Sequence, residues 1–267
     1  MVDILTVQSK DGTKIGAARR GEGPPMVLVH GTTAEHSRWN GVVEGLKDHF
    51  TVYAMDRRGR GLSGDGPVYD LQREVEDVAA LVDGIPEGPV DLIGHSYGGL
   101  CALEAMALTN KVRKLLLYEP SLPDPNEPPR DPAIANEVRD LVERGEKEKA
   151  LDRFYTVTQG ISPEELAKMR FLTDWGERVK AAHTIPRELG ISGDFRLDEA
   201  ALRRWNTPTL VLIGGASPPR RRAVAERLTA LIPDSRIGVL PGQQHMAMTS
   251  APVMLAAAIR EFCQITP

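Results

Sequence analysis

At 267 residues the chain is long enough to bury one large α/β core, or such a core with an insertion. Its 33 Lys plus Arg against 37 Asp plus Glu leave a formal charge of −4, which supplies no basic footprint for nucleic acid or an anionic membrane and makes a small-molecule substrate the expected partner. The opening MVDILTVQSKDG has no cationic start before an apolar stretch, and no run approaches the roughly 18 apolar residues of a spanning helix. A cytoplasmic protein is expected, with no nucleic acid and no membrane among its partners and a homodimer left open. Cys101 and Cys263 lie far apart in apolar helical patterns and read as buried, reduced thiols, so neither a disulfide framework nor a metal site is expected.

In chain order, DILTVQS and KIGAARR flank the turn tripeptide Lys10-Asp11-Gly12, which predicts an antiparallel hairpin. Short apolar runs then follow at 26–30, 51–56, 90–95, 114–119, 209–214 and 236–241, each read as a strand buried on both faces. Helical spacing of apolar residues marks 69–85, 97–110, 218–232 and 252–263. Strand and helix in repetition predict an α/β fold, a mostly parallel sheet with helices on both faces. Between Glu119 and Thr207 the rhythm breaks: a proline-rich hinge at 120–132 leads into helical stretches at 134–144, 147–158, 163–171, 175–188 and 197–205. Such a length is no ordinary loop, and it predicts a helical cap over the carboxyl edge of the sheet, where open α/β folds bind ligands. The expected division is a core of 1–120 and 206–267 with a cap of 121–205.

Three segments carry chemistry. Gly94-His95-Ser96-Tyr97-Gly98 matches G-x-S-x-G between a strand and a helix, the setting in which a sharp turn exposes a serine hydroxyl at the sheet edge. LVHGTT ends the strand at 26–30, so the amide of Thr32 could face the amide of Tyr97 and form an oxyanion hole, with His30 as a structural histidine tying down the loop. PGQQHMAM puts His245 after the last strand, where a general base would reach back toward Ser96. His36 and His49 read as surface residues.

HGTT, MDRRGRGLSG, GHSYGG and GQQH, in this order and spacing, resemble the α/β-hydrolase fold superfamily over essentially the whole chain. The resemblance implies an eight-stranded sheet and a catalytic triad of a serine, an acid and a histidine, two of them Ser96 and His245. It also implies a turn in which Asp56, Arg57 and Arg58 form a buried charge network. No cofactor is implied. Family members usually carry the acid after the strand that here reads TLVLIG, and this chain has Gly215-Ala216-Ser217 there, followed by two prolines and three arginines. The family permits relocation of the acid to the neighbouring strand, which ends in Glu119. Strand ends lie about 4.8 Å apart and Glu is a methylene longer than Asp, so Glu119 can span the shift to His245. Asp124 is the reserve, Ser217 a neutral substitute, and a salt bridge from Glu119 to a cap arginine such as Arg130 the structural alternative.

A serine at 96 argues against the dehalogenase and epoxide-hydrolase branches, whose covalent intermediate forms on a carboxylate. What remains is acyl transfer from a carboxylic ester, lactone or thioester of a small or medium-sized metabolite. Phe154, Tyr155 and Trp175, with Met169 and Phe171, are candidate substrate-binding walls or else cap core. Two other classes stay open: a cofactor-independent lyase on the same site, and a non-catalytic small-ligand sensor.

Overall fold

The computed structural model describes residues 3–124 and 131–264, with 192–194 in backbone only. Eight strands, β1 (Asp3–Gln8), β2 (Lys14–Arg20), β3 (Pro25–Val29), β4 (Thr51–Met55), β5 (Val90–His95), β6 (Val112–Tyr118), β7 (Thr209–Gly214) and β8 (Ser235–Leu240), form one sheet in the order β1-β2-β4-β3-β5-β6-β7-β8. Only β2 runs against its neighbours, pairing antiparallel with β1 and β4, and every other ladder is parallel. From β3 the chain moves outward to β4 and then returns to place β5 on the other side of β3. That reversal opens a crevice at the carboxyl ends of β3 and β5, the position where such sheets bind ligands.

The central strands read as unbroken apolar runs because both of their faces are covered. Successive side chains point to opposite faces, so Val27, Val29, Leu115, Leu117, Val211 and Ile213 join one core cluster while Met26, Leu28, Leu116, Tyr118, Leu210 and Leu212 join the other. Helices Leu71–Gly84, Tyr97–Ala105 and Pro219–Leu231 close the first cluster, and Asn40–Glu44 with Pro252–Cys263 closes the second. β8 departs from the expected double burial: it is the sheet edge, with a neighbour on one side only, and Val239 is 44 % exposed.

Between β6 and β7 the described chain is helical: Pro132–Glu143, Lys147–Arg153, Pro163–Met169, Trp175–Lys180, Ile185–Asp194 and Glu199–Leu202. Asp131 caps the first by accepting the Ala133 amide, and Ser162 with Glu165 forms a reciprocal capping box at the third. Lys147–Arg153 widens into a π-helical turn over Phe154–Gln159, ended by Gly160 in the left-handed region. The helices enclose their own apolar cluster around Val138, Leu151, Phe154, Trp175 and Ile185.

Asp56, Arg57 and Arg58 are fully buried. Arg58 meets Asp77 through two 2.7 Å bonds, Nε to Oδ2 and Nη2 to Oδ1, and reaches Asp11 in the β1–β2 turn at 3.0 Å. The pair therefore fastens the opening hairpin to helix Leu71–Gly84. Deleting one partner strands a buried charge, so Arg58→Met is expected to lose about 3–5 kcal/mol in urea unfolding. Adding Asp77→Leu should recover most of it; equal losses in the single and double variants would show that the pair's charge is not what matters.

Candidate active site

The turn after β5 has the strain that its sequence predicts. Ser96 sits at φ 54°, ψ −123°, a conformation that a non-glycine residue holds only when its surroundings impose it. The flanking glycines permit the closeness: a Cβ on Gly98 would lie 2.3 Å from the His30 carbonyl oxygen, and one on Gly94 would lie 2.6 Å from that of Gly98. Helix Tyr97–Ala105 starts directly behind the serine, so the amide of Tyr97 belongs to the first, unpaired turn of the helix. Thr32 follows the end of β3, the strand paired with β5 through Val29 and Gly94. Thr32 and Tyr97 thus both follow the ends of adjacent strands.

Ser96, His245 and Glu119 come together. His245 Nε2 lies 3.1 Å from Ser96 Oγ, and His245 Nδ1 lies 2.7 Å from Glu119 Oε2. Burial works against ionisation of Glu119, but the hydrogen bond and charge of His245, with Arg221 and Ser217, hold its pKa down to about 2. For His245 burial is the larger cause and the Arg221 charge the next; against the pull of Glu119 they lower it to about 4. The imidazole is therefore neutral near pH 7. Its Nδ1–H donates to Glu119, which leaves Nε2 as acceptor for the Ser96 hydroxyl. Ser121 Oγ lies 3.1 Å from Ser96 Oγ, and with the Ser96 proton directed at His245, Ser121 must be the donor of that second bond.

The loop that lacks an acid supports the acid next door. The Gly214 amide donates to Glu119 Oε1 at 2.9 Å and the Ser217 hydroxyl donates to the same oxygen at 2.5 Å, while Arg221 Nε stands 3.3 Å from Oε2. Ser217 thus contacts Glu119 rather than His245, and His245 Nδ1 meets Glu119 rather than Asp124. Arg130, the suggested ion partner, lies outside the described residues. Glu119 itself is at φ 44°, a strained turn directly after β6. His245 is held from behind by two contacts absent from the sequence reading: the Tyr118 hydroxyl donates to the Gln244 carbonyl, and His95 Nε2 donates to the His245 carbonyl at 2.9 Å. The His95 and His245 rings lie 4.6 Å apart.

His30 is a buried structural histidine, 2.8 Å from the Gly31 carbonyl through Nδ1 and accepting the Arg57 amide at Nε2. His36 is not the surface residue expected. Its ring bonds Asp56 at 2.7 Å, because the Asp56 carboxylate gathers the loop after β3 and the Leu62 amide onto one buried acceptor. Among the aromatic candidates, Tyr155 reaches the core: its hydroxyl is 2.7 Å from Thr33 Oγ1. Phe154 packs edge-on against Tyr155 and Trp175 lies 6.5 Å from it, both inside the insertion's own cluster. Phe171, read as a pocket wall or else cap core, is neither: it is 90 % exposed. Helical spacing could not separate these outcomes, since it says which side of a helix is apolar and not what covers it.

Among the described residues no group of His, Cys, Asp or Glu is arranged to hold a metal, and no helix is long and apolar enough to cross a membrane. Cys101 and Cys263 are buried free thiols.

A model of the alpha/beta hydrolase family matches residues 26–258. The 2-(acetamidomethylene)succinate hydrolase of Mesorhizobium japonicum is 26 % identical over 266 residues, covering 93 % of this chain and 91 % of the relative. The pimeloyl-acyl-carrier-protein methyl ester esterase of Aeromonas hydrophila is 28 % identical over 258 residues, covering 93 % and 98 %. An alpha/beta hydrolase of Sphaerobacter thermophilus, known from its crystal structure, superposes with a TM-score of 0.87 at 36 % identity over 97 % of this chain and all of that one. With the matched span running from β3 through β8 into the last helix, over a sheet that reverses beside the strained serine, the chain belongs to the alpha/beta hydrolase family.

Proposed function

We propose that this protein is a serine hydrolase that cleaves a carboxylic ester or a related acyl bond, a lactone, thioester or activated amide, of a small or medium-sized metabolite through an acyl-enzyme on Ser96. The observation that carries the reading is the unbroken chain from Ser96 through His245 to Glu119, at 3.1 and 2.7 Å. Relatives that hydrolyse an acetamido compound and a methyl ester support the bond class.

In this reading His245 takes the Ser96 proton as Oγ attacks the acyl carbon, and Glu119 stabilises the imidazolium that forms. The amides of Thr32 and Tyr97 donate to the oxyanion, preorganised where charge develops. His245 then protonates the leaving group, and a water activated by the same imidazole releases the acid and restores Ser96. Ser121 holds the serine oxygen in line before attack. The helical insertion acts as a cap, and Tyr155, bonded to Thr33, is its contact with the loop that carries Thr32.

Ser96→Ala is expected to abolish ester turnover and fluorophosphonate labelling while the circular dichroism spectrum stays unchanged; full labelling of that variant would overturn the nucleophile assignment. Glu119→Gln should lower the acylation rate by up to about four orders of magnitude, the scale of loss when a triad acid becomes an amide. Stopped-flow bursts with a nitrophenyl ester measure it, and a near-silent substitution would remove Glu119 from the reaction.

The free-enzyme base is competent only when neutral, so kcat/KM should fall as the pH drops through about 4 rather than through the ordinary 6.5. Arg221 is one of the two main causes of that lowering, so Arg221→Gln should move the acid limb upward, yet leave it below 6.5 because burial persists. A limb that stays in place across the two proteins would mean that the Arg221 charge is not felt at His245.

A further inference from the structure

Most buried arginines here are neutralised one for one. Arg57 and Arg60 share Glu74 and Glu188, and Arg58 has Asp77 with Asp11 beside it. One cluster departs from this. Arg38, in the turn His36–Trp39 after β3, and Arg178, in the insertion helix Trp175–Lys180, converge on a single carboxylate, Asp174. Arg38 Nη2 and Arg178 Nη2 stand 2.7 and 2.9 Å from the same oxygen, Oδ2, and Arg178 Nε is 3.2 Å from Oδ1. Among the described residues neither guanidinium has a second ion partner within salt-bridge distance, so the cluster carries a surplus positive charge. Its side chains are 7 and 1 % exposed, and Arg38 Nε is buried with no hydrogen-bond partner. Burial and then the Arg178 charge pull the Arg38 pKa below its ordinary value, which Asp174 only partly offsets.

The cluster is linked through one intervening side chain on each side to residues that neighbour Thr32 and Ser96 in the chain. Arg178 Nη1 donates to the Tyr155 hydroxyl at 2.5 Å, and that hydroxyl meets Thr33, next to the oxyanion residue Thr32. Trp39, the neighbour of Arg38, sets its ring edge-on to His95, the residue before Ser96, at 6.3 Å. The Arg38 charge is felt at both His95, the last residue of β5, and His30, which directly follows β3.

We propose that Arg38, backed by Arg178, receives a carboxylate of the substrate, so that the preferred substrates are acyl compounds bearing a free carboxylate beside the bond that is cut. The inference rests on the hydrolase reading of Ser96 and adds the substrate class. Asp174 holds the two guanidiniums together despite their repulsion and leaves one charge for the ligand. A planar guanidinium with an open donor suits a carboxylate in both charge and geometry.

Monomethyl and dimethyl esters of succinate, glutarate and adipate separate charge from size, with methanol release as the readout. The wild-type protein is expected to prefer the monomethyl ester by tenfold or more in kcat/KM for at least one chain length. Arg38→Met should bring that preference to about unity whatever loss the two esters share, and Arg38→Lys should retain part of it. Equal rates for both esters at every length, or a preference untouched by Arg38→Met, would overturn the proposal. A failure to cleave any ester would count against the hydrolase reading instead, and calorimetry then tests the carboxylate site directly. Succinate, glutarate or adipate should bind Ser96→Ala and lose at least tenfold in affinity when Arg38→Met is added; no binding of any of the three would overturn the carboxylate site on its own. Thermal melting of each variant identifies one that fails to fold, in which case Arg38→Lys carries the comparison.

Discussion

The buried carboxylate of Glu119 joins four pieces of chain that otherwise share little. One oxygen accepts the Gly214 amide at the end of β7 and the Ser217 hydroxyl; the other faces His245 and Arg221. An ionised group this deep costs several kcal/mol unless its lone pairs are filled, and here each oxygen has two partners. The strained φ of 44° at Glu119 costs on the order of 1–3 kcal/mol more, offset by the same contacts. Because those contacts come from β7, from the helix that follows it and from the loop after β8, the geometry offered to Ser96 depends on how well this end of the sheet is assembled.

Arg221 gives the arrangement a particular balance. A carboxylate beside a histidine raises the basicity of the imidazole; an arginine on the same oxygen takes part of that effect back. Glu119 is thereby kept ionised and His245 neutral over a wide range of pH. The three arginines that stand where an acid is usual are therefore not a neutral gap: one of them, Arg221, acts on the Glu119 carboxylate.

The insertion is joined to the core by directional polar contacts, and at its C-terminal end by Phe195 and Leu202, which pack into the cluster on one face of the sheet. The cluster formed by its residues between Ala135 and Leu189 is separate from the two that flank the sheet. Glu188 from helix Ile185–Asp194 is buried against Arg57 and Arg60, Arg60 also bonds Thr184 at 2.5 Å, and Tyr155 meets Thr33. Hydrogen-bonded ion pairs fix orientation in a way that apolar contact does not. The same contacts bring the insertion to the loop of Thr32 and Thr33 at the carboxyl end of β3.

Much of the site was legible in the amino-acid order because its parts are local. The G-x-S-x-G turn, the glycine after His30 and the alternation that sends Val27 and Met26 to opposite faces are set by backbone sterics and by period-two side-chain direction, which neighbouring residues decide. The family resemblance, which implies an acid, together with the strand end at 119 could also point to Glu119, because a strand end is a position in the sheet. Local pattern could not say that β8 would be an edge, since an edge strand and a central strand are both short apolar runs, nor that Phe171 would face water while Tyr155 faced Thr33. The sequence by itself determined the sheet, the serine turn and the places from which an acid and a base could come. The tertiary structure decided which groups meet: His245 with Ser96 across 149 residues, Glu119 with His245 across 126, Ser217 with Glu119 across 98. Contacts between residues so distant in the chain depend on strand order and on the close packing of whole elements, and no short stretch of sequence encodes either.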